Sequence, residues 1–281
     1  MQTKKSRKPV KPVTVILYIF LIALAVIYVA PLLWMLSVSL KDNAGVMAAP
    51  FALPEVFHWE NYQQAWTMGK LGIALVNSVL VCGITLVVSL FFGAMAAFAI
   101  ARMRWKLSEA AHTFFLIGMM VPVHTVLVPV SYIIGALNLK NNIPALVMIY
   151  VAFSLPFSIL VVTNFMKGVN RSLEEAALID GATYFQIYKN VMLPMTVPAI
   201  STISIFNFLG AWNNILFPLL FINDKNLKPI ALGLLNFNGE RGSDYGPLMA
   251  AIVITVAVPL VIYLLFQEKV EGGLAAGAVK E

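Results

Sequence analysis

Six long runs of apolar residues occupy most of this chain, and the fifth, Leu193 to Ile222, holds no charged residue at all. The others extend from Val13 to Leu40, Leu71 to Ala101, Ala110 to Ile134, Ile143 to Met166 and Pro247 to Phe266. Each is long enough, as an α-helix, to cross ~30 Å of hydrocarbon. Uniform apolarity is not the alternation of a membrane β-barrel strand. It also lacks the polar stripe that a helix of a water-soluble bundle turns outward. Pro122, Pro129 and Pro156 fall inside two of the runs, where neighbouring helices can satisfy the carbonyls they free. Charged residues make up 11% of the 281, against about 25% in soluble domains, too few to coat a water-exposed surface. The expectation is an all-α polytopic membrane protein with about six transmembrane helices. A basic tail (1–12) precedes the membrane domain (13–267), which carries a loop at 167–192, and a short tail (268–281) follows.

The net charge of +6 is spread between the apolar runs rather than gathered into a patch, which argues against nucleic acid as a partner. With the N-terminus placed inside, the inner segments hold Lys4, Lys5, Arg7, Lys8, Lys11 and the Arg102–Arg104–Lys106 cluster. The bias of Lys and Arg inward is then roughly two to one, and both termini fall in the cytoplasm. The first run outlasts the roughly 7–15 residues of a signal-peptide core and reads as an uncleaved span. The single cysteine, Cys82, sits in an apolar run; it reads as a packing residue and suggests no metal site. Trp59, Tyr62 and Trp66 fit an interfacial aromatic patch in the first outer loop.

The inner segment from Lys167 to Val191 is the most unusual loop. Ser172 with Glu175 three residues on has the capping-box spacing, and a short helix through Asp180 would meet Gly181, a natural stop with positive φ. A second helical stretch from Ala182 would lead to Leu193-Pro194, where the fifth span begins. Locally this describes either an ordinary capped linker or a small docking helix whose Ala176 and Ala177 admit close approach.

The string Glu175-Ala176-Ala177-Leu178-Ile179-Asp180-Gly181-Ala182, followed by Val191-Met192-Leu193-Pro194 and Pro198, resembles the EAA loop of ABC importer permeases. Asn77-Ser78, Ala99-Ile100-Ala101-Arg102, Trp212-Asn213-Asn214 and the tail Gly273-Leu274…Gly277-Ala278-Val279-Lys280 are similar to the sugar branch, maltose-type and MalG-like. The resemblance implies a permease subunit of a binding-protein-dependent importer in the bacterial inner membrane. It implies a coupling helix carrying Glu175, Ala176, Ala177, Asp180 and Gly181. It further implies as partners a second, different permease, a dimer of ATP-binding subunits and an extracytoplasmic solute-binding protein. ATP and magnesium would bind the partner ATPase, with no cofactor, metal or catalytic residue on this chain, which has no G-x-x-x-x-G-K-[ST] loop.

Amides and aromatics suit a sugar path better than fixed charges. Trp212, Asn213, Asn214 and Asn77 are the candidates in or near the spans, with Asn164 and Asn207 beside them. The competing role for each is an interhelical packing bond, which Asn77 and Asn207 fit better. His124, between Pro122 and Pro129, is either a functional ionisable group or a partner for freed carbonyls. Other readings are a permease for another solute such as glycerol phosphate, or an ion-coupled secondary transporter, which would want midplane charges and repeated halves.

Overall fold

The computed structural model describes residues 12–68, 70–239 and 242–278. Helices dominate. The long ones are α1 (Pro12–Val38), α4 (Leu71–Arg102), α7 (Ile143–Gly168), α11 (Val197–Trp212) and α14 (Tyr245–Ala278). Between them lie α2 (Asn43–Ala48), α3 (Glu60–Met68), α5 (Ser108–Met120), α6 (Val123–Ala136), α8 (Ser172–Ile179), α9 (Tyr184–Ile187), α10 (Leu193–Met195), α12 (Leu216–Phe221) and α13 (Ile230–Gly233). One two-residue antiparallel pair, β1 (Asn238–Gly239) with β2 (Gly242–Ser243), precedes α14. Among the described residues five helices, counting Val197–Phe221 as one, are long and apolar enough to cross a membrane; the α5–α6 pair would make a sixth if it counts as one span.

Three details depart from the sequence expectation. The third run is not one rod: α5 and α6 meet at 98°. Val121 and Pro122 are extended there, because a proline ring drives the residue before it out of the helical region. The fifth run is entered through a π turn just before it, Tyr188–Met192, where Pro194 has no N–H to return to the preceding turn. It breaks again after Trp212. The last helix continues to Ala278, through most of the stretch read as a tail.

Two compact units divide the chain, Met1–Ala65 with Phe237–Val253, and Trp66–Asn236 with Ile254–Glu281. In the first, no residue of α1 before Val38 is buried, so within the chain this helix is dressed for lipid or for another subunit. The backbone just past α1 is tied down by side chains. The Asn61 amide donates to the Ser39 and Lys41 carbonyls (2.9 and 2.8 Å), and the Ser39 and Tyr62 hydroxyls are 2.8 Å apart. Asp42 caps α2 by accepting from the Gly45 N–H, and the Tyr245 N–H donates to the Asn43 side chain. Trp59 and Tyr62 of the aromatic patch are ring neighbours, with Phe57 beside Trp59.

In the second unit α4 and α7 pack along their length. Small α4 residues, Ser89, Gly93, Ala94 and Ala97, let the backbones approach, the means by which helices associate where lipid removes the hydrophobic drive. Asn207 of α11 donates to Ser158 of α7 (2.9 Å) and reaches Ser89 of α4 (3.5 Å). One buried amide thus joins three helices, the packing role rather than the sugar role. At one end, Asn141 (φ 54°) accepts from the N–H groups of Asn223 and Asp224 and donates its own to the Phe221 carbonyl.

Gly246 stands where α14 meets the Asn61 knot. A Cβ there would lie 2.5 Å from the Lys41 carbonyl oxygen and 2.6 Å from the Asn61 amide nitrogen. Gly246→Ala is therefore expected to cost about 1–3 kcal/mol, the usual range for overpacking. A lowered midpoint of thermal aggregation in detergent would show it; an unchanged midpoint would mean the knot yields freely.

Candidate functional site

The segment read as a candidate docking helix is helical, though it is built differently from its sequence signature. α8 spans Ser172–Ile179 with no side-chain cap at its start. Ser172 is already helical, and its N–H is taken by the Asn170 side chain (3.0 Å). The Ser172–Glu175 capping box does not form, because an Asx-type contact two residues back claims the first free N–H. A complete capping box forms instead at Thr183–Gln186, opening α9: the Gln186 N–H donates to the Thr183 hydroxyl, and the Thr183 N–H donates to Gln186 Oε1 (2.7 Å). Thr183-Tyr-Phe-Gln186 has the right spacing, so this signal was available in the sequence.

The end of α8 follows the glycine. Gly181 has φ +81°. The Ala182 N–H donates to the Ala177 carbonyl (2.9 Å) and the Gly181 N–H to the Leu178 carbonyl (3.0 Å), the paired bonds of a Schellman stop. Ala177 and Ala182, on either side of the turn, pack on a buried cluster that includes Ala97 and Phe98 of α4, Val162 and Met166 of α7, and Tyr188 and Met192 of the π turn. Burial pushes the Tyr188 phenol above its ordinary value, and its ring packs against Phe98. The small alanine at 177 therefore serves the spans, whereas Glu175, Ala176 and Asp180 are exposed. Ile179 is 86% exposed, with Leu178, Tyr184 and Phe185 also open. Exposed large apolar side chains this close in sequence to the exposed Glu175 and Asp180 make this segment a candidate interaction face; sequence reasoning had passed over Ile179 as an unspecified position of the motif.

Arg102 is the larger omission. Read in the sequence as part of a basic cluster, it ends α4 with its side chain 2% exposed. One guanidinium nitrogen, Nη2, donates to the carbonyls of Met166 and Val169 at the end of α7. Its Nε lies 2.9 Å from Glu174 Oε1, in an ion pair whose partner on α8 is 15% exposed. That pair is not aligned as a linear hydrogen bond, so the contact is chiefly ionic.

The other sequence candidates scatter. Asn77, near the start of α4, spends its amide nitrogen on the Asn226 and Lys228 carbonyls (2.8 and 3.2 Å), while neighbouring Ser78 accepts from the Ile230 N–H. Trp212 is 2% exposed, stacked on Phe208, and its indole N–H finds no acceptor among the described residues. Asn213 is exposed in the break between α11 and α12, and Asn214 accepts from the Phe217 N–H (3.2 Å), capping α12. Pro218, which cannot donate back toward Asn214, explains why the helix stops here. Asn164 is exposed on α7. His124 is exposed in the first turn of α6, just past the 98° bend.

Comparison with known proteins points one way. Residues 89–275 match the family described as binding-protein-dependent transport system inner membrane component. The diacetylchitobiose uptake system permease protein NgcG of Streptomyces coelicolor is 35% identical over 92% of this chain and 87% of its own length. The multiple sugar-binding transport system permease protein MsmG of Streptococcus mutans is 30% identical over 94% and 96%. Among solved structures, a bacterial ABC transporter that imports the acidic polysaccharide alginate contains a chain with TM-score 0.81 at 20% identity, covering 93% of this chain and 99% of that one.

The Gly181 turn yields a local test. A Cβ at this position would meet nothing within 4 Å, so substitution costs backbone strain alone, about 1–2 kcal/mol for alanine at positive φ. Gly181→Ala should speed amide exchange across residues 172–182 without changing exchange in α4. Gly181→Asn should do so less, because asparagine tolerates this conformation. Equal exchange in both variants would show that the Schellman turn does not hold α8 in place.

Proposed function

This chain belongs to the family of binding-protein-dependent transport system inner membrane components, and we propose that it is one permease subunit of an ATP-driven sugar importer, half of a path completed by a second, different permease. The observation that carries the reading is α8: a short helix stopped by a glycine with positive φ, its Ala177 face on the spans and its Glu175, Ala176 and Ile179 face open.

The open face is the seat for a separate ATP-binding subunit. That subunit, present as a dimer, holds ATP and magnesium and performs the hydrolysis; this chain supplies no phosphate-binding loop. Closure of the dimer moves α8, and α8 moves α4 and α7 through the cluster beneath it. Rigid-body rocking of packed helices then alternates access to the path. Glu175 and Asp180 set the charge of the seat, Ala176 permits close approach, and Gly181 fixes the angle at which the helix is presented. The ends of the chain and α8 lie on the cytoplasmic side, as the distribution of Lys and Arg favours. A solute-binding protein delivers the sugar from outside.

The sugar is a di- or oligosaccharide, supported by the substrates named for the relatives and by apolar runs without Asp, Glu, Lys or Arg. Asn213, exposed in a helix break, is the path residue the geometry favours, since irregular backbone inside a membrane is tolerated where it lines a cavity. Trp212 and Asn214 shape the break from behind. Asn77 holds the 226–230 loop against α4 with its amide nitrogen, which leaves its carbonyl oxygen as the group it could offer to sugar.

The test is affinity purification of the tagged chain, solubilised mildly from its own host. Recovery of an ATPase, a second permease and a solute-binding protein is expected. A chain that emerges alone, even after crosslinking, would sink the reading. In the same cells Gly181→Asp should abolish uptake of the sugar carried by the co-purified binding protein while leaving expression normal, because the side chain enters open space but adds a carboxylate beside Asp180. Normal uptake would remove Gly181 from the coupling surface.

A further inference from the structure

We propose that Arg102 and Glu174 are positioning residues for energy coupling: Arg102 clamps the coupling helix to the ends of two spans, so that motion of α8 reaches α4 and α7 together. The proposal rests on α8 being the ATPase seat.

The geometry is specific. Arg102 is the last residue of α4, and its side chain is almost wholly buried. One arm of the guanidinium satisfies two carbonyls at the end of α7, those of Met166 and Val169. The Met166 carbonyl, which also accepts from the Val169 N–H (3.0 Å), and the Val169 carbonyl just past the last turn lie at the negative end of the helix dipole. The Nε side of the same group faces the Glu174 carboxylate at 2.9 Å. Glu174 lies in the first turn of α8, where an acid is favoured by the dipole, and it adjoins Glu175 of the docking face. A single planar cation thus touches three helices, a task for which lysine's point charge is a poor substitute.

Burial separates this role from a topology signal. Arg104 and Lys106 belong to the same basic cluster and are exposed, which is all that orienting a span requires. Arg102 alone of the three turns inward, and a desolvated charge is retained only where partners surround it. Without the clamp, α8 would be joined to α7 through the turn at 169–171 and the packing of Ala177, a looser lever. The Glu174 carboxylate converts that turn into a fixed angle. Charge reversal of the pair would not restore the clamp, because a carboxylate at 102 would face the Met166 and Val169 carbonyls.

The experiment uses the complete transporter purified from its host and reconstituted in lipid nanodiscs. The probe is its own solute-binding protein, carrying the sugar with which it purifies. Binding protein and ATPase sit on opposite faces, so stimulation of ATP hydrolysis by the binding protein must pass through the spans and α8. In Glu174→Gln the ATPase should remain bound at wild-type stoichiometry and basal hydrolysis should stay within about twofold, while stimulation falls at least about fivefold, the lower end of ordinary allosteric couplings. Arg102→Lys, which keeps the charge but not the fork, should lower stimulation in the same way. A merely structural loss would reduce assembly and basal rate together. Wild-type stimulation in Glu174→Gln would overturn the proposal. Loss of the ATPase from that variant would also overturn it, making Glu174 a docking contact instead. A wild-type chain that never carries an ATPase removes the coupling helix itself, and the clamp falls with it; that failure appears in the wild type rather than in the variant.

Discussion

Hydrocarbon offers no hydrogen-bond partner, and every irregularity in this chain is shaped by that fact. An unpaired backbone group in lipid costs several kcal/mol, so each place where a helix bends or stops needs a local acceptor or donor. At the 98° bend, the Thr125 hydroxyl and N–H both return to the Pro122 carbonyl. At the break after Trp212, Asn214 supplies its side chain to the Phe217 N–H. At the π turn, the Thr196 hydroxyl bonds the Met192 and Leu193 carbonyls next to Pro194. Asparagine and threonine near proline are the means by which the chain departs from straight helices at these three places. The Arg102 guanidinium does the same at the end of α7, with a full charge instead of a dipole.

The same constraint decides how the helices hold together. Lipid tails are as apolar as leucine, so burial of leucine between spans stabilises little, and close packing of small residues takes its place. The α4–α7 contact has serine, glycine and alanine on α4, and the Asn207 amide links both helices to α11. Interhelical bonds of this kind are worth about 0.6 kcal/mol on average. Their value here is therefore in fixing register more than in adding stability. A pair of spans fixed in register moves as a body, which is what a lever attached to one end demands.

The spans were legible because their signal is strong and local: long runs without charge leave few alternatives. Gly181 was legible for the same reason, since few residues besides glycine suit a positive φ after a short helix. The bend at Val121-Pro122 was not, because a proline in an apolar run is equally compatible with a kink inside a span and with its end, and neighbouring helices decide which. The cap of α8 was misread because the Asn170 and Glu175 side chains compete for the Ser172 N–H, and spacing alone does not rank them. Arg102 was hidden in a cluster whose members look alike in sequence and differ only in burial. Trp212, Asn213 and Asn214 were legible as a group but not in their separate roles, since which of three consecutive residues faces outward depends on where the helix ends.

In the proposed coupling role, a short helix would have to move a membrane domain. α8 has only two turns and is far below the length at which an isolated helix is stable in water. It exists because the Schellman turn, the Ala177 contact and the Glu174 ion pair hold it from three directions. Its stability is therefore borrowed from the spans, and the debt runs both ways: whatever displaces α8 must break those contacts or carry α4 and α7 along. Breaking them would leave Arg102 buried beside α7 without a counter-charge, a state costing several kcal/mol. Moving the spans costs less wherever they meet lipid, which rearranges readily. The asymmetry favours transmission over detachment, and it comes from placing a charge where it cannot be abandoned.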